Sequence, residues 1–205
     1  MQTEDHGLKA ATRALAKGEI VILTDTPDAG PVMIMDAAKA SPATINFMAK
    51  HGRGLIGLAI SPGRAMQLGL VLQPLRNRQR IGPSYTYSIE ARDGVSTGIS
   101  AADRALTIRV AANPASQAYD LVSPGHIFPQ IALPSMPGRA RSCAELALSL
   151  QQAAGGGQAV AICSILTETG GDANHVHARL LAKETGLAWV AAEEAVALPD
   201  AVADN

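Results

Sequence analysis

The stretch Ser96-Thr97-Gly98-Ile99-Ser100-Ala101-Ala102-Asp103-Arg104, followed by Thr107-Ile108-Arg109, is the most specific in the chain. Ser100 and Asp103 have the spacing of a capping box. A helix is therefore expected to start there, to carry Leu106 and Val110 inward, and to close at Pro114. Ahead of it stand two hydroxyls, Ser96 and Thr97, and a glycine, Gly98, that lets backbone approach a ligand. With the unpaired amides of a helix N-terminus beside them, these groups make a ready site for an anion such as phosphate. An ordinary capped helix start has the same spacing, and the pattern by itself leaves both readings open.

Outward from this stretch, helix and strand signals alternate to both ends of the chain. Leu8, Ala11 and Leu15 recur at helical spacing up to Gly18, and Ile20 to Leu23 reads as a short buried strand. Ser41-Pro42 opens a helix that carries Ile45, Met48 and Ala49 inward and ends at Gly52. Leu55 to Ile60 is a second strand, and Ser61-Pro62 starts another helix. Tyr85, Tyr87 and Ile89 alternate with Ser84, Thr86 and Ser88, the period of a strand with one polar face. On the C-terminal side the Pro-rich span from Ser123 to Pro137 is expected to be a functional loop. Ser142 and Glu145 form a second capping box before Leu146 and Leu150. Ala159 to Leu166 is a central strand, Asn174 caps a helix through Val176 and Leu180 to Gly186, and Leu187 to Ala191 is a last strand. The expected architecture is a layered α/β or α+β domain with helices covering a sheet, a single domain over 1–198 with a frayed tail over 199–205.

Composition narrows the partners. The chain has 205 residues, 47% apolar and 17% charged, enough to bury a sizeable core. Its formal charge of -1 leaves no excess of Lys or Arg for nucleic acid or an anionic membrane, so neither is an expected partner. The N-terminus is polar and acidic where a signal peptide would be basic and then apolar, and the longest apolar run is too short to span a bilayer. A cytoplasmic protein is expected. Cys143 and Cys163 read as reduced thiols. His175 and His177 are two apart at a helix start, where they point to different sides, and read as solvated.

Several collinear stretches resemble the 3,4-dihydroxy-2-butanone-4-phosphate synthase family of riboflavin biosynthesis. Residues 96–104 resemble its T-T-G-I-S-A-x-D-R, and Pro124-Gly125-His126-Ile127-Phe128-Pro129 resembles its P-G-H-V/I-F-P loop. Residues 47–56 are similar to F-M-x-x-x-x-S/R-G-L-I, and Ala161-Ile162-Cys163-Ser164-Ile165 is similar to V-I-C-E-I. The resemblance implies a three-layer α-β-α sandwich that dimerises, with active sites near the subunit interface. It also implies a reaction in which ribulose 5-phosphate forms an enediol, rearranges and loses one carbon as formate, assisted by magnesium.

The departures from the family pattern set the remaining expectations. Where the family has D-D-E-D-R-E-N-E-G-D, this chain has Thr24-Asp25-Thr26-Pro27-Asp28-Ala29-Gly30-Pro31-Val32, with Asp28 at the metal-binding Glu. Where the family has R-A-G-H-T-E, it has Ala140-Arg141-Ser142-Cys143-Ala144-Glu145, with Cys143 at the metal-binding His. The Glu of V-I-C-E-I is Ser164, and the cysteine of G-L-I-C is Gly57. One carboxylate and one thiol are a poor pair for a hard cation, so no cofactor is expected. The expected catalytic residues are His126, Asp28 and Cys143, the last as a nucleophile whose thiolate a helix start would stabilise. Thr97, Gly98, Ser142, Arg139, Arg141 and Asp25 are expected to bind substrate. The expected function is a divergent, metal-independent enzyme acting on a sugar phosphate or related small carbonyl compound, without the parent reaction. The alternatives are residual parent activity and a non-catalytic ligand-binding or dimerisation partner.

Overall fold

The computed structural model describes residues 6–74, 83–134, 136 and 138–201. In chain order the elements are α1 (Leu8–Lys17), β1 (Val21–Thr24), β2 (Val32–Asp36), α2 (Pro42–Gly52), β3 (Arg53–Ile60), α3 (Pro62–Gln67), β4 (Ile89–Ala91), α4 (Ala101–Ala112), β5 (Leu121–Ile131), α5 (Cys143–Ala153), β6 (Ala159–Ile165), α6 (His175–Thr185), β7 (Ala188–Ala191) and α7 (Ala192–Val196). Among the described residues the strands form one mixed sheet of seven, in the order β4-β5-β3-β6-β2-β1-β7. Its side chains alternate between two cores. On one face Ile22, Met33, Leu58, Ala161 and Cys163 pack with Ile45 and Met48 of α2, Ala105 and Ile108 of α4, and Ala178 and Ala182 of α6. On the other, Val21, Leu23, Ile34, Val160 and Ile162 pack with Ala11 and Leu15 of α1, Leu146 and Leu150 of α5, and Ala195 of α7. Each fully buried Ile or Leu contributes about 1.5–3 kcal/mol relative to exposure. The result is the expected three-layer α-β-α sandwich. No helix among the described residues is long and apolar enough to cross a membrane.

The register gathers the candidate residues at one end of the sheet. Phe128 pairs with Gly57, Gly57 with Ile162, Ile162 with Ile34, and Ile34 with Val21. Two residues further toward that end, Ser164 pairs with Val32 and Val32 with Leu23. The C-termini of β1 and β6 and the N-termini of β2, β3 and β5 therefore share one edge of the molecule. His126 and the loop holding Asp25 and Asp28 both lie along it.

Several local expectations are corrected. The Ser123–Pro137 span is not a loop through its first half: β5 runs to Ile131, because Pro129 still offers a carbonyl, which accepts from the Thr86 amide at 2.9 Å. The rest of that span includes Ser135 and Pro137, which lie outside the described residues. β2 has no counterpart in the sequence reading, since a five-residue run buried throughout carries no alternation. In α4 the inward residues are Ala105, Ile108 and Ala111, one position off Leu106 and Val110. The alternating segment before β4 forms isolated bridges at Tyr85 and Thr86 in place of a continuous strand, with Thr86 buried and Tyr87 half exposed. In α6, Val176 and Leu180 are exposed and the small residues Ala178 and Ala182 face the core. In the expected tail, residues 199–201 are bonded to α5: Ser149 donates to the Pro199 carbonyl at 2.9 Å and accepts from the Ala201 amide at 3.2 Å, and Gln152 donates to the Ala201 carbonyl.

Candidate active site

At the β4–β5 edge, β5 departs from β4 between two paired positions. Ile89 faces Ile127 and Glu90 faces Val122, so residues 123–126 bulge out of the ladder. Bulges of this kind re-aim a side chain, and here the side chain is His126. Ser88 pins the bulge, its carbonyl accepting from Ser123 Oγ at 2.7 Å and its hydroxyl accepting from the Gly125 amide at 3.1 Å. Gly125 is required by close approach, because a Cβ there would lie 2.1 Å from the Ile89 carbonyl oxygen. The imidazole of His126, 41% exposed, then faces the largely buried carboxylate of Glu90, with Nδ1 3.3 Å from Oε2.

The segment in front of α4 borders this pair. Ser100 caps α4 through the Asp103 amide, as expected, but Asp103 does not complete the box. Its carboxylate instead accepts from Ser96 Oγ at 3.1 Å and from the Gly98 amide at 3.0 Å. Burial alone would push the Asp103 carboxyl up, yet these hydrogen bonds and that of Ser100 outweigh it and hold the group below the usual range. The Gly98 amide, expected to meet a ligand, is thus engaged within the chain. Thr97 is exposed at the tip of the segment.

The second group surrounds the start of α5. Ser142 and Glu145 form the expected reciprocal capping box, so the Ser142 amide donates to Glu145 Oε2 at 3.1 Å. The Cys143 amide donates to Asp28 Oδ1 at 2.8 Å. The helix start expected to receive a ligand's anionic end therefore already holds two carboxylates of the chain itself. Asp28 is pushed above the ordinary range by burial, which outweighs the Cys143 amide, and Glu145 adds to the rise. Cys143 is 2% exposed, and burial together with the Asp28 charge pushes its thiol well up. It is held as a thiol, the opposite of the activation that a helix start leads one to expect. Arg139 reaches Glu145 at 2.9 Å and the Pro134 carbonyl at 2.9 Å while staying 28% exposed.

Arg141 turns away from this group. It is 9% exposed and donates to the Leu198 carbonyl at 3.0 Å and to Ser149 Oγ, with Asp200 at 3.9 Å. It ties α5 to the C-terminal segment. Asp25, with a left-handed backbone (φ 60), accepts from Thr24 Oγ1 at 2.8 Å and lies 3.6 Å from His175. The sequence reading missed Glu90 and the second role of Glu145. Both pair across elements, and spacing along one chain segment does not reveal such contacts.

Within the single chain the two groups stay apart. Strands lie about 4.7–4.9 Å from their neighbours, so the three to four steps from β5 to the β1–β2 loop amount to roughly 14–20 Å between backbones.

Comparison with known proteins agrees with the architecture. The family model for 3,4-dihydroxy-2-butanone 4-phosphate synthase matches residues 9–198. A protein of that name from Pseudomonas aeruginosa is 39% identical over 84% of this chain, which spans only 48% of that relative's length. Another from Oceanobacillus iheyensis is 35% identical over 92% of both chains. A solved 3,4-dihydroxy-2-butanone 4-phosphate synthase in complex with two magnesium ions superposes with a TM-score of 0.84 at 28% identity, covering 93% of this chain and 95% of its own. That complex overturns the expectation that no cofactor is involved, since metal binding occurs in a relative of the same fold and length. A match over residues 9–198, with end-to-end likeness to the Oceanobacillus protein, decides the membership: this chain belongs to the 3,4-dihydroxy-2-butanone 4-phosphate synthase family.

Proposed function

We propose that the chain carries out the reaction of its family, converting ribulose 5-phosphate to formate and 3,4-dihydroxy-2-butanone 4-phosphate. The observation that carries this reading is the imidazole of His126, lifted out of the sheet by the β5 bulge and backed by a carboxylate at 3.3 Å. Such a pair suits removal of a proton from a carbon beside a carbonyl, the step that forms an enediol. Arg139, partly exposed beside Glu145, offers a cation to the phosphate, and the Thr97 hydroxyl is free to orient the sugar.

The donors present fit magnesium in one form. Cys143 is a buried thiol and does not suit a hard cation, and Glu145 is taken by Arg139. Asp28 supplies a carboxylate beside the start of α5, one oxygen of which accepts from the Cys143 amide. Magnesium commonly takes one or two carboxylates and completes its octahedron with water and substrate oxygens, so Asp28 would hold it together with the sugar. When bound, the ion would polarise the sugar oxygens and stabilise the charge that develops on them. A neighbouring cation also favours the charged form of Asp28, against the effect of its burial.

The separation of His126 from Asp28 supports a homodimer in which one subunit's His126 serves its partner's Asp28. Leu55 of β3, Val122 of β5 and Tyr87 just before β4 are 46%, 42% and 50% exposed and supply apolar surface for that contact. A second reading, a different reaction on a related sugar phosphate, is favoured by Ser164, which places a hydroxyl at the edge beside Val32 where the family has a carboxylate.

Formate release from ribulose 5-phosphate, with magnesium and with a chelator, tests the proposal. Magnesium-dependent formate is expected, together with a mass in light scattering of twice the 21.1 kDa chain. Turnover of another sugar phosphate without formate would select the second reading, and a monomer would remove the shared site.

A further inference from the structure

We propose that Glu90 is the positioning residue of His126, its carboxylate accepting the Nδ1–H and so fixing the tautomer that leaves Nε2 free to exchange a proton with substrate. The inference rests on the functional reading above and assigns how its central group is held. A carboxylate has only acceptors to offer, so an imidazole nitrogen that faces it carries the hydrogen, and the other nitrogen keeps the lone pair. The Nδ1–Oε2 distance is 3.3 Å, and Glu90 is 13% exposed against 41% for His126, so the carboxylate lies behind the ring and the ring faces solvent.

Three separate features converge on this contact. The β4–β5 register breaks between Ile89 and Glu90, and the extra residues of β5 bring His126 back over the Glu90 side chain. Ser88 fastens both ends of the turn that does so. On the far side, a Cβ on Gly98 would lie 1.6 Å from Glu90 Oε1, and Gly98 has φ +76, so a residue without a side chain is needed for the carboxylate to reach its place. Glu90 is thus wedged between the 96–98 segment and the imidazole. The Asp103 carboxylate accepts from Ser96 Oγ and the Gly98 amide, Arg92 is exposed further along the chain, and β3 presents the apolar Leu55 two residues before the Gly57–Phe128 pair.

The test uses the full chain labelled with 15N, in which the His126 ring nitrogens are read by long-range proton–nitrogen correlation, alongside formate kinetics. The parent should show the Nδ1–H tautomer. Glu90→Ala should lose that preference and lower kcat by about 10- to 100-fold, the usual cost of removing an orienting partner, with KM little changed. Glu90→Gln keeps the shape and an acceptor, and should keep the tautomer with an intermediate kcat. An Nε2–H tautomer in the parent, or an unchanged tautomer or kcat in folded Glu90→Ala, overturns the proposal. If the parent releases no formate, the functional reading falls, and the tautomer measurement alone decides the role of Glu90.

Discussion

The β4–β5 edge and the start of α5 carry similar residue types and treat them differently. At the β4–β5 edge the polar network points outward: Glu90 backs His126, Asp103 braces the 96–98 segment, and the imidazole and Thr97 meet solvent. At α5 the network closes on itself. Asp28 and Glu145 take the helix amides, Arg139 takes Glu145, Arg141 takes the C-terminal segment, and Cys143 is sealed beneath them. The first arrangement leaves a titratable group available for chemistry, whereas the second spends most of its charges on holding elements together. A family resemblance measured residue by residue does not distinguish the two uses.

The sharpest way to break this comparison is at His126. If the β4–β5 edge is the working half, His126→Ala should lower kcat for formate release by about 10²–10⁴-fold, the range for loss of a general acid–base group, with an unchanged melting temperature. Equal activity in the variant would mean that the exposed imidazole has no part in turnover, and the contrast between the two regions would lose its functional meaning.

Arg141→Ala probes the other half. Its guanidinium is buried and bonded to the Leu198 carbonyl and Ser149, so removal leaves those acceptors short of a donor and loosens the hold on Leu198, while Ser149 and Gln152 still bind Pro199 and Ala201. The expected outcome is a stability loss of about 2–4 kcal/mol in urea unfolding, in keeping with broken buried charged hydrogen bonds, and a KM within a few fold of the parent. A large rise in KM with no change in stability would instead give Arg141 the phosphate-binding role that its place in the sequence led us to expect.

How much of this was legible in the sequence follows the range of the interactions involved. Caps and periodic helices are local, so Ser41, Ser100, Ser142 and Asn174 all cap helices as read. The layered fold was legible for the same reason. β5 was not, because two prolines argue for a loop until a neighbour pairs with the strand, as the Thr86 amide does with the Pro129 carbonyl. Nor was the fate of Arg141 or Cys143. Whether a cation faces substrate or the chain's own carbonyls is decided by residues more than fifty positions away, such as Leu198 for Arg141.

The smallest effect expected, and the most diagnostic of the closed region, is in the pH dependence of stability. Asp28 has a folded-state pKa raised by burial above its ordinary value of 3.8, so between that value and the raised one the folded chain binds more protons than the unfolded chain. Stability contributed by the protonated carboxyl is present below the unfolded value and is lost as pH rises through the folded one. Asp28→Asn keeps an acceptor for the Cys143 amide and removes the titration. The variant should therefore lose this part of the pH dependence and be slightly more stable than the parent at neutral pH, as read by urea midpoints across pH 4 to 8. Magnesium with ribulose 5-phosphate should narrow the gap by stabilising the parent and not the variant, because only a carboxylate gains from the cation. If the parent and Asp28→Asn show the same pH dependence across this window, Asp28 is not desolvated, and if magnesium stabilises both proteins equally, it is not the group that holds the metal. The start of α5 would then be no more closed than the edge that carries His126.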